Sequence, residues 1–256
     1  MENSKADDLS VMDRAGVAYW DKIWSEKSKQ KYNPYAYDNA DLTKIIDKWL
    51  INTNKSDSVI EIGCADSIIL PYINSMGYPT VGVDYSQAGC EKFAAQSPGS
   101  ELHCADMFSP PEHLIGRAGA LISMGLVEHF NDTRAAVAAL AGFLKPGGTM
   151  LTVIPNMYGS VGFLQRVLNR TAYDVHVRLS PDDLADAHAG LVDVRSGYLS
   201  AVGYGVVNHG YKMPGRLIVA GLARFSTLLA GIDNHLGLPR TRAFSPHCWC
   251  IATKPA

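Results

Sequence analysis

The chain has 256 residues and a mass of 27.7 kDa, enough for one α/β domain with an elaboration and a core that needs no disulfide or metal staple. An apolar content of 47% and a charged content of 19% exclude a chiefly disordered chain, and a net charge of −2 excludes a polycation that coats nucleic acid. The charge is uneven: residues 1–193 carry 16 basic and 24 acidic groups, whereas residues 194–256 carry seven basic groups and a single acid, Asp233. A basic tail of this kind is expected to pack on the acidic body.

In chain order, residues 1–10 read as loose, and residues 11–31 as a helix with Val17, Trp20, Ile23 and Trp24 on one side. YNPYAYD (32–38) is an aromatic turn broken by Pro34. Leu42, Ile45, Ile46, Trp49 and Leu50 recur at helical spacing over residues 40–51. The chain then alternates. Strands are expected at 58–63, 80–86, 101–107, 119–125 and 149–156, with helical patterns at 67–76, after 86 to about Ala95, and from Asp132 to Leu144. KPGG (145–148) reads as the stop of that last helix. Ser180, Pro181 and Asp183 form a helix start with a capping box, and that helix ends near Gly190. Strands follow at 191–199 and 247–254, separated by a Gly/Tyr-rich piece (197–211) and an apolar helix (217–231). Strand–helix alternation at this spacing argues a mostly parallel sheet with helices on both faces.

The polar, acidic start MENSKADDLS does not read as a signal peptide. The most apolar stretch, Leu217 to Ile232, is interrupted by Arg224, so no membrane span is expected. Five cysteines without metal-ligand spacing read as reduced thiols, which gives a cytoplasmic protein with no metal site as the expectation.

Chemistry concentrates where the first strand runs into EIGCADS, Glu61 to Ser67. A glycine there lets the chain approach a ligand closely, and Ala65 and Ser67 are small. Asp84, twenty-one residues after Gly63, ends the second strand, where an acid can accept from two ribose hydroxyls. The dinucleotide fingerprint needs two further glycines that are missing, and Asp66 in the loop is expected to repel a diphosphate. A phosphate-free nucleoside ligand suits the loop better than a nicotinamide dinucleotide.

Together these motifs resemble the class I S-adenosylmethionine-dependent methyltransferases over roughly residues 55–195 and the final strand. The resemblance is to small-molecule enzymes of the ubiquinone-biosynthesis or type 11/12 kind. It implies a Rossmann-like seven-stranded, mostly parallel sheet with a reversed last strand, an N-terminal helical cap (1–51), and a catalytic domain (52–256) with an insertion at 197–242. S-adenosyl-L-methionine is the implied cofactor, held through Glu61, Gly63, Ala65, Asp84, Tyr85, Asp106, Met107 and Met124. SMGLVEHF (123–130) resembles the segment beside the reacting methyl, which makes His129 a candidate general base, with His176 before the capped helix as a second. Glu128 is expected to orient His129 or a loop amide. Tyr19, Tyr35, Tyr37, Tyr204 and Tyr211 are candidate acceptor contacts. Tyr198, Lys212, Arg216, Arg240 and Arg242 suggest a basic, aromatic wall suited to an anionic or phenolic acceptor. The apolar helix 217–231 is a candidate lid, homodimer face or membrane-surface contact. A nucleic-acid acceptor is disfavoured because SMGLVEH stands where base-amine enzymes of the class carry an Asn/Asp-Pro-Pro-Tyr/Phe motif. A peptide or protein acceptor, and a non-catalytic cofactor-binding partner, stay open.

Overall fold

In a computed structural model of the chain, residues 13–26, 39–208 and 215–256 are described, with the Arg216 side chain left aside. Seven strands form one sheet in the order β3-β2-β1-β4-β5-β7-β6. They are β1 (Ser58–Ile62), β2 (Thr80–Asp84), β3 (Glu101–Cys104), β4 (Ala118–Met124), β5 (Leu144–Pro155), β6 (Val192–Leu199) and β7 (His247–Thr253). The first five run parallel, and β7 lies antiparallel between β5 and β6. β1, β2 and β4 are short and almost wholly buried, as expected of strands covered on both faces.

The helices are α1 (Val17–Glu26), α2 (Ala40–Leu50), α3 (Leu70–Ser75), α4 (Gln87–Gln96), α5 (Thr133–Phe143), α6 (Ser160–Leu168), α7 (Arg170–Asp174), α8 (Pro181–Ala187) and α9 (Gly215–Leu236). One core places Val137, Leu140 and Phe143 of α5 and Leu184 of α8 against Ile60, Leu121 and Met150. The other places Ile46 and Leu50 of α2, Ile73 and Phe93 against Val59, Ile122 and Leu151. Each fully buried side chain of this size contributes about 1.5–3 kcal/mol. Gly82 is required by packing: a Cβ there would stand 2.6 Å from the Phe93 ring and 2.7 Å from Cys64 Sγ.

Several expectations change. KPGG does not lie outside the strand but opens β5. Gly147 takes φ +74°, and the pair Gly147 N–H to Lys254 O (3.0 Å) and Lys254 N–H to Gly148 O (2.8 Å) ties the turn to the chain after β7. α6 and α7 fall in a stretch that the periodicity leaves unassigned. Asn169 ends the first and caps the second, its Oδ1 accepting from the Ala172 amide at 3.2 Å. α1 starts at Val17, later than expected, and residues 27–38 lie outside the described part. Cys90 and Cys104 are not separate thiols. Parallel β2–β3 pairing and α4 bring their Cα atoms to 6.0 Å, and they form a disulfide, while Cys64, Cys248 and Cys250 are free and buried. The capping box at Ser180 and Asp183 forms as expected.

α9 is longer than the apolar helix anticipated. Its stretch Leu217–Leu236 has a mean hydropathy of 1.3 and is 17% buried, long and apolar enough to cross a membrane by length and composition alone. Arg224 interrupts it, and Val219, Ser226 and Asp233 are buried against the body.

Candidate active site

A cavity of about 1430 Å³ opens at the carboxyl ends of β1, β2 and β4, the place where open α/β sheets bind ligands. Its floor is built by the turn after β1. Gly63 adopts φ +79°, a conformation that favours glycine, and points an absent side chain at Leu126, 3.4 Å away. The Ser67 hydroxyl donates to the Glu61 carboxylate and accepts the Leu70 amide at 3.0 Å, which fastens the turn to the start of α3. Burial pushes the Glu61 carboxyl up to about 8; the Ser67 hydrogen bond opposes this and the Asp84 charge adds to it.

Asp84 ends β2 with both oxygens fixed: Oδ2 accepts the Ala65 amide at 3.0 Å and Oδ1 the Ser86 amide at 2.9 Å. Burial raises its pKa to about 6 against the pull of these amides. Ala65 is itself fully buried and does not line the cavity; its contribution is the amide that aims Asp84. Asp66 does not present a bare charge to a ligand, because the buried Lys92 ammonium lies 3.1 Å from its carboxylate. The expected repulsion of a diphosphate at this loop is therefore offset from behind. Asp106 caps the next turn, its Oδ1 accepting the Phe108 amide at 2.9 Å, and Met107 is buried beside it.

The N-terminal segment closes one side, through two residues, Asp13 and Asp21, to which the sequence assigns no role. Asp13 accepts the Trp20 indole N–H at 2.7 Å and the Ala15 amide at 2.8 Å, and it also accepts the Tyr85 hydroxyl. Asp21 accepts the Ser86 hydroxyl at 2.6 Å. Two carboxylates thus clasp α1 to the residues that follow β2. Their partners are 65 and 72 residues away in sequence, so no local pattern could reveal them.

At the other side stand Glu128, His129 and His176, all lining the cavity. His129 Nδ1 lies 3.0 Å from the Val175 carbonyl and its Nε2 lies 3.8 Å from Glu128 Oε1. His176 Nδ1 lies 2.6 Å from the Ala172 carbonyl. The imidazole centroids are 4.5 Å apart, and Trp20 meets His129 edge-on at 4.8 Å. Burial pushes His129 down to about 4 and, with His129 adjacent, His176 down to about 3. The ordinary pKa near 6.5 anticipated for a base here is lost to desolvation. Burial lifts Glu128 to about 8 against the pull of its own backbone amide, and among the described residues neither of its oxygens makes a hydrogen bond of good geometry.

Glu61, Gly63, Asp84, Tyr85, Asp106, Met107, Met124, Tyr19 and Tyr204 all line this cavity, while Tyr35, Tyr37 and Tyr211 lie outside the described residues. Among the described residues the basic wall does not reach the cavity, and the Arg216 side chain lies outside the described part. Arg240 binds Asp41 at 2.5 Å and Asp233 at 2.9 Å, Arg242 stands over the Tyr158 ring, and neither they nor Tyr198 reach the cavity. Lys212 lies outside the described residues. Instead Val202, Tyr204, Val207 and Ala223 present an apolar lining.

A family model described as a methyltransferase domain matches residues 33–186, more than half of the chain. The chain belongs to that family, the class I methyltransferases that use S-adenosylmethionine. More particularly, it is 24% identical over 226 residues to a protein of Chromobacterium violaceum named ubiquinone biosynthesis O-methyltransferase, covering 82% of this chain and 93% of that one. Two solved structures share the fold. One, described as a SAM-dependent methyltransferase from Archaeoglobus fulgidus, superposes with a TM-score of 0.53 at 16% identity, covering 83% and 93% of the two chains. The other, the [4+2]-cyclase SpnF, gives 0.60 at 14% identity, covering 97% and 98%.

The residues fit the cofactor. Asp84 is a buried carboxylate that lines the cavity and still has acceptor capacity beyond the amides it holds, as ribose hydroxyls require. Gly63, with no side chain, lines the cavity beside it.

Proposed function

We propose that this enzyme transfers a methyl group to a hydroxyl of a small, largely apolar or aromatic metabolite in a biosynthetic pathway. The observation that carries this reading is a single cavity running from Asp84 and Asp106, past His129 and His176, to the apolar lining of Val202, Tyr204 and Val207. The name of the Chromobacterium relative supports an oxygen acceptor. Bound S-adenosylmethionine supplies a sulfonium methyl group for in-line displacement. Asp84 and Asp106 hold the adenosine end by hydrogen bonding. The Trp20 and Trp24 rings, stacked at 5.8 Å, give a wall whose faces attract a sulfonium cation. α1 excludes water, and the acceptor oxygen rests against the His129–His176 pair, where orientation supplies much of the rate.

The test is incubation with labelled S-adenosylmethionine and a panel of phenols, catechols, aliphatic alcohols, amines and peptides. Label on phenolic or catecholic oxygen supports the reading. Label confined to peptides, or none despite intact binding of S-adenosylhomocysteine, overturns it.

A further inference from the structure

We propose that Glu128, His129 and His176 together hold one divalent transition-metal ion, with its open positions facing the cavity. One ligand atom from each residue lies within 4.8 Å of the others. Ligands on a metal with bonds of roughly 2.0–2.2 Å sit about 3–3.5 Å apart, so small side-chain rotations close the set. Glu128 gives the independent sign. It is 1% exposed and, among the described residues, neither oxygen makes a hydrogen bond of good geometry. Buried carboxyls are rarely left in that state, and a cation satisfies both oxygens at once.

The imidazoles are prepared in the same sense. The Gly125 carbonyl lies beside the His129 ring, while each Nδ1 sits on a backbone carbonyl, Val175 for His129 and Ala172 for His176, and in the tautomer that donates there Nε2 carries the lone pair. This is the outer hydrogen bond that metal-bound histidines ordinarily make. The backbone also pins the three together: the Val177 amide donates to the Glu128 carbonyl at 2.6 Å and the Arg14 amide to the His129 carbonyl at 2.8 Å. Arg14, whose guanidinium reaches the His176 carbonyl at 3.4 Å, is a cation beside the set, and the Glu128 carboxylate brings the opposite charge. Two nitrogens and one carboxylate suit zinc, cobalt or iron(II) better than magnesium. The second histidine cluster, Glu101, His103 and His113, is excluded because Arg117 takes both Glu101 oxygens at 2.7 Å.

A metal here would bind the acceptor hydroxyl directly and lower its pKa, so that the oxygen reacts as the anion and its proton leaves to solvent. Only this consequence rests on the methyl-transfer reading; binding of the ion does not. The full chain, stripped with a chelator and dialysed, is titrated with Co²⁺ without donor or acceptor, following visible absorption, and with Zn²⁺ by calorimetry. The expected result is one equivalent bound, weakened at least about 100-fold by His176→Ala and by Glu128→Gln but not by His113→Ala. S-adenosylhomocysteine binding checks that each variant is folded. Chelated protein that binds S-adenosylhomocysteine yet takes up no Co²⁺ overturns the metal site and leaves methyl transfer standing. So does uptake that both variants leave unchanged. One equivalent of Co²⁺ lost in His176→Ala, with no methylation of any acceptor, supports the site and overturns the function.

Discussion

Asp84→Asn tests the cofactor end most directly. In the parent, each Asp84 oxygen accepts one backbone amide, from Ala65 at 3.0 Å and from Ser86 at 2.9 Å. Asparagine keeps one oxygen and turns an NH₂ toward the other amide, setting donor against donor. The ribose hydroxyls also lose their charged acceptor. A hydrogen bond to a charged group is worth about 1.5–3 kcal/mol, so the Kd for S-adenosylhomocysteine should rise about 10- to 150-fold. Calorimetric titration at pH 8 measures it, and a thermal melt shows how much stability the lost amide bond costs. The parent should also show a pH dependence of definite sign. Burial holds Asp84 at about 6, so acidification below that value protonates it, and affinity should fall toward about tenfold per pH unit. A folded variant that binds within about twofold of the parent would refute the placement of adenosine at Asp84.

Asp13→Asn removes the charge that gathers Trp20, Ala15 and Tyr85. S-adenosylhomocysteine affinity should drop about 5- to 30-fold, with faster proteolytic cutting near α1 and an unchanged melting temperature for the sheet. Gly82→Ala drives a methyl into Phe93 and Cys64, and urea unfolding should show a loss of about 1–3 kcal/mol. Glu61 is held at about 8, above the roughly 4.3 of an unfolded chain. The folded state therefore keeps a proton that the unfolded state releases, and stability falls as pH rises across that window. Glu61→Gln should flatten this slope, read as a smaller difference in Tm between pH 6 and pH 8; an identical difference in both proteins counts against a neutral Glu61.

Much of the fold was legible because its signals are local. β1 and β2 announce themselves as short runs rich in β-branched residues and β4 as a short apolar run, Ser180 and Asp183 spell a cap, and Asp84 stands at a fixed distance from Gly63. The same spacing brings Gly63, Asp84 and Asp106 to one cavity. What stayed hidden depends on residues distant in sequence. Arg240 reads as a free basic group until Asp41, 199 residues earlier, is placed against it. Asp66 reads as a repulsive charge until α4 supplies Lys92. His129 looks like an ordinary imidazole until the chain around Val175 covers it and desolvation lowers its basicity.

The position of β7 has a consequence for how the chain is made. β7, which follows every other strand of the sheet in sequence, is an interior strand, bonded to β5 on one side and β6 on the other. Until residues 247–253 have left the ribosome, β5 presents an open edge and β6 has no neighbour to join. A product that stops before residue 247 would lose the seam between two parts of the sheet. Every β5–β7 pair spans about a hundred residues, and long-range pairing of this kind carries a large loop-closure cost before any contact repays it.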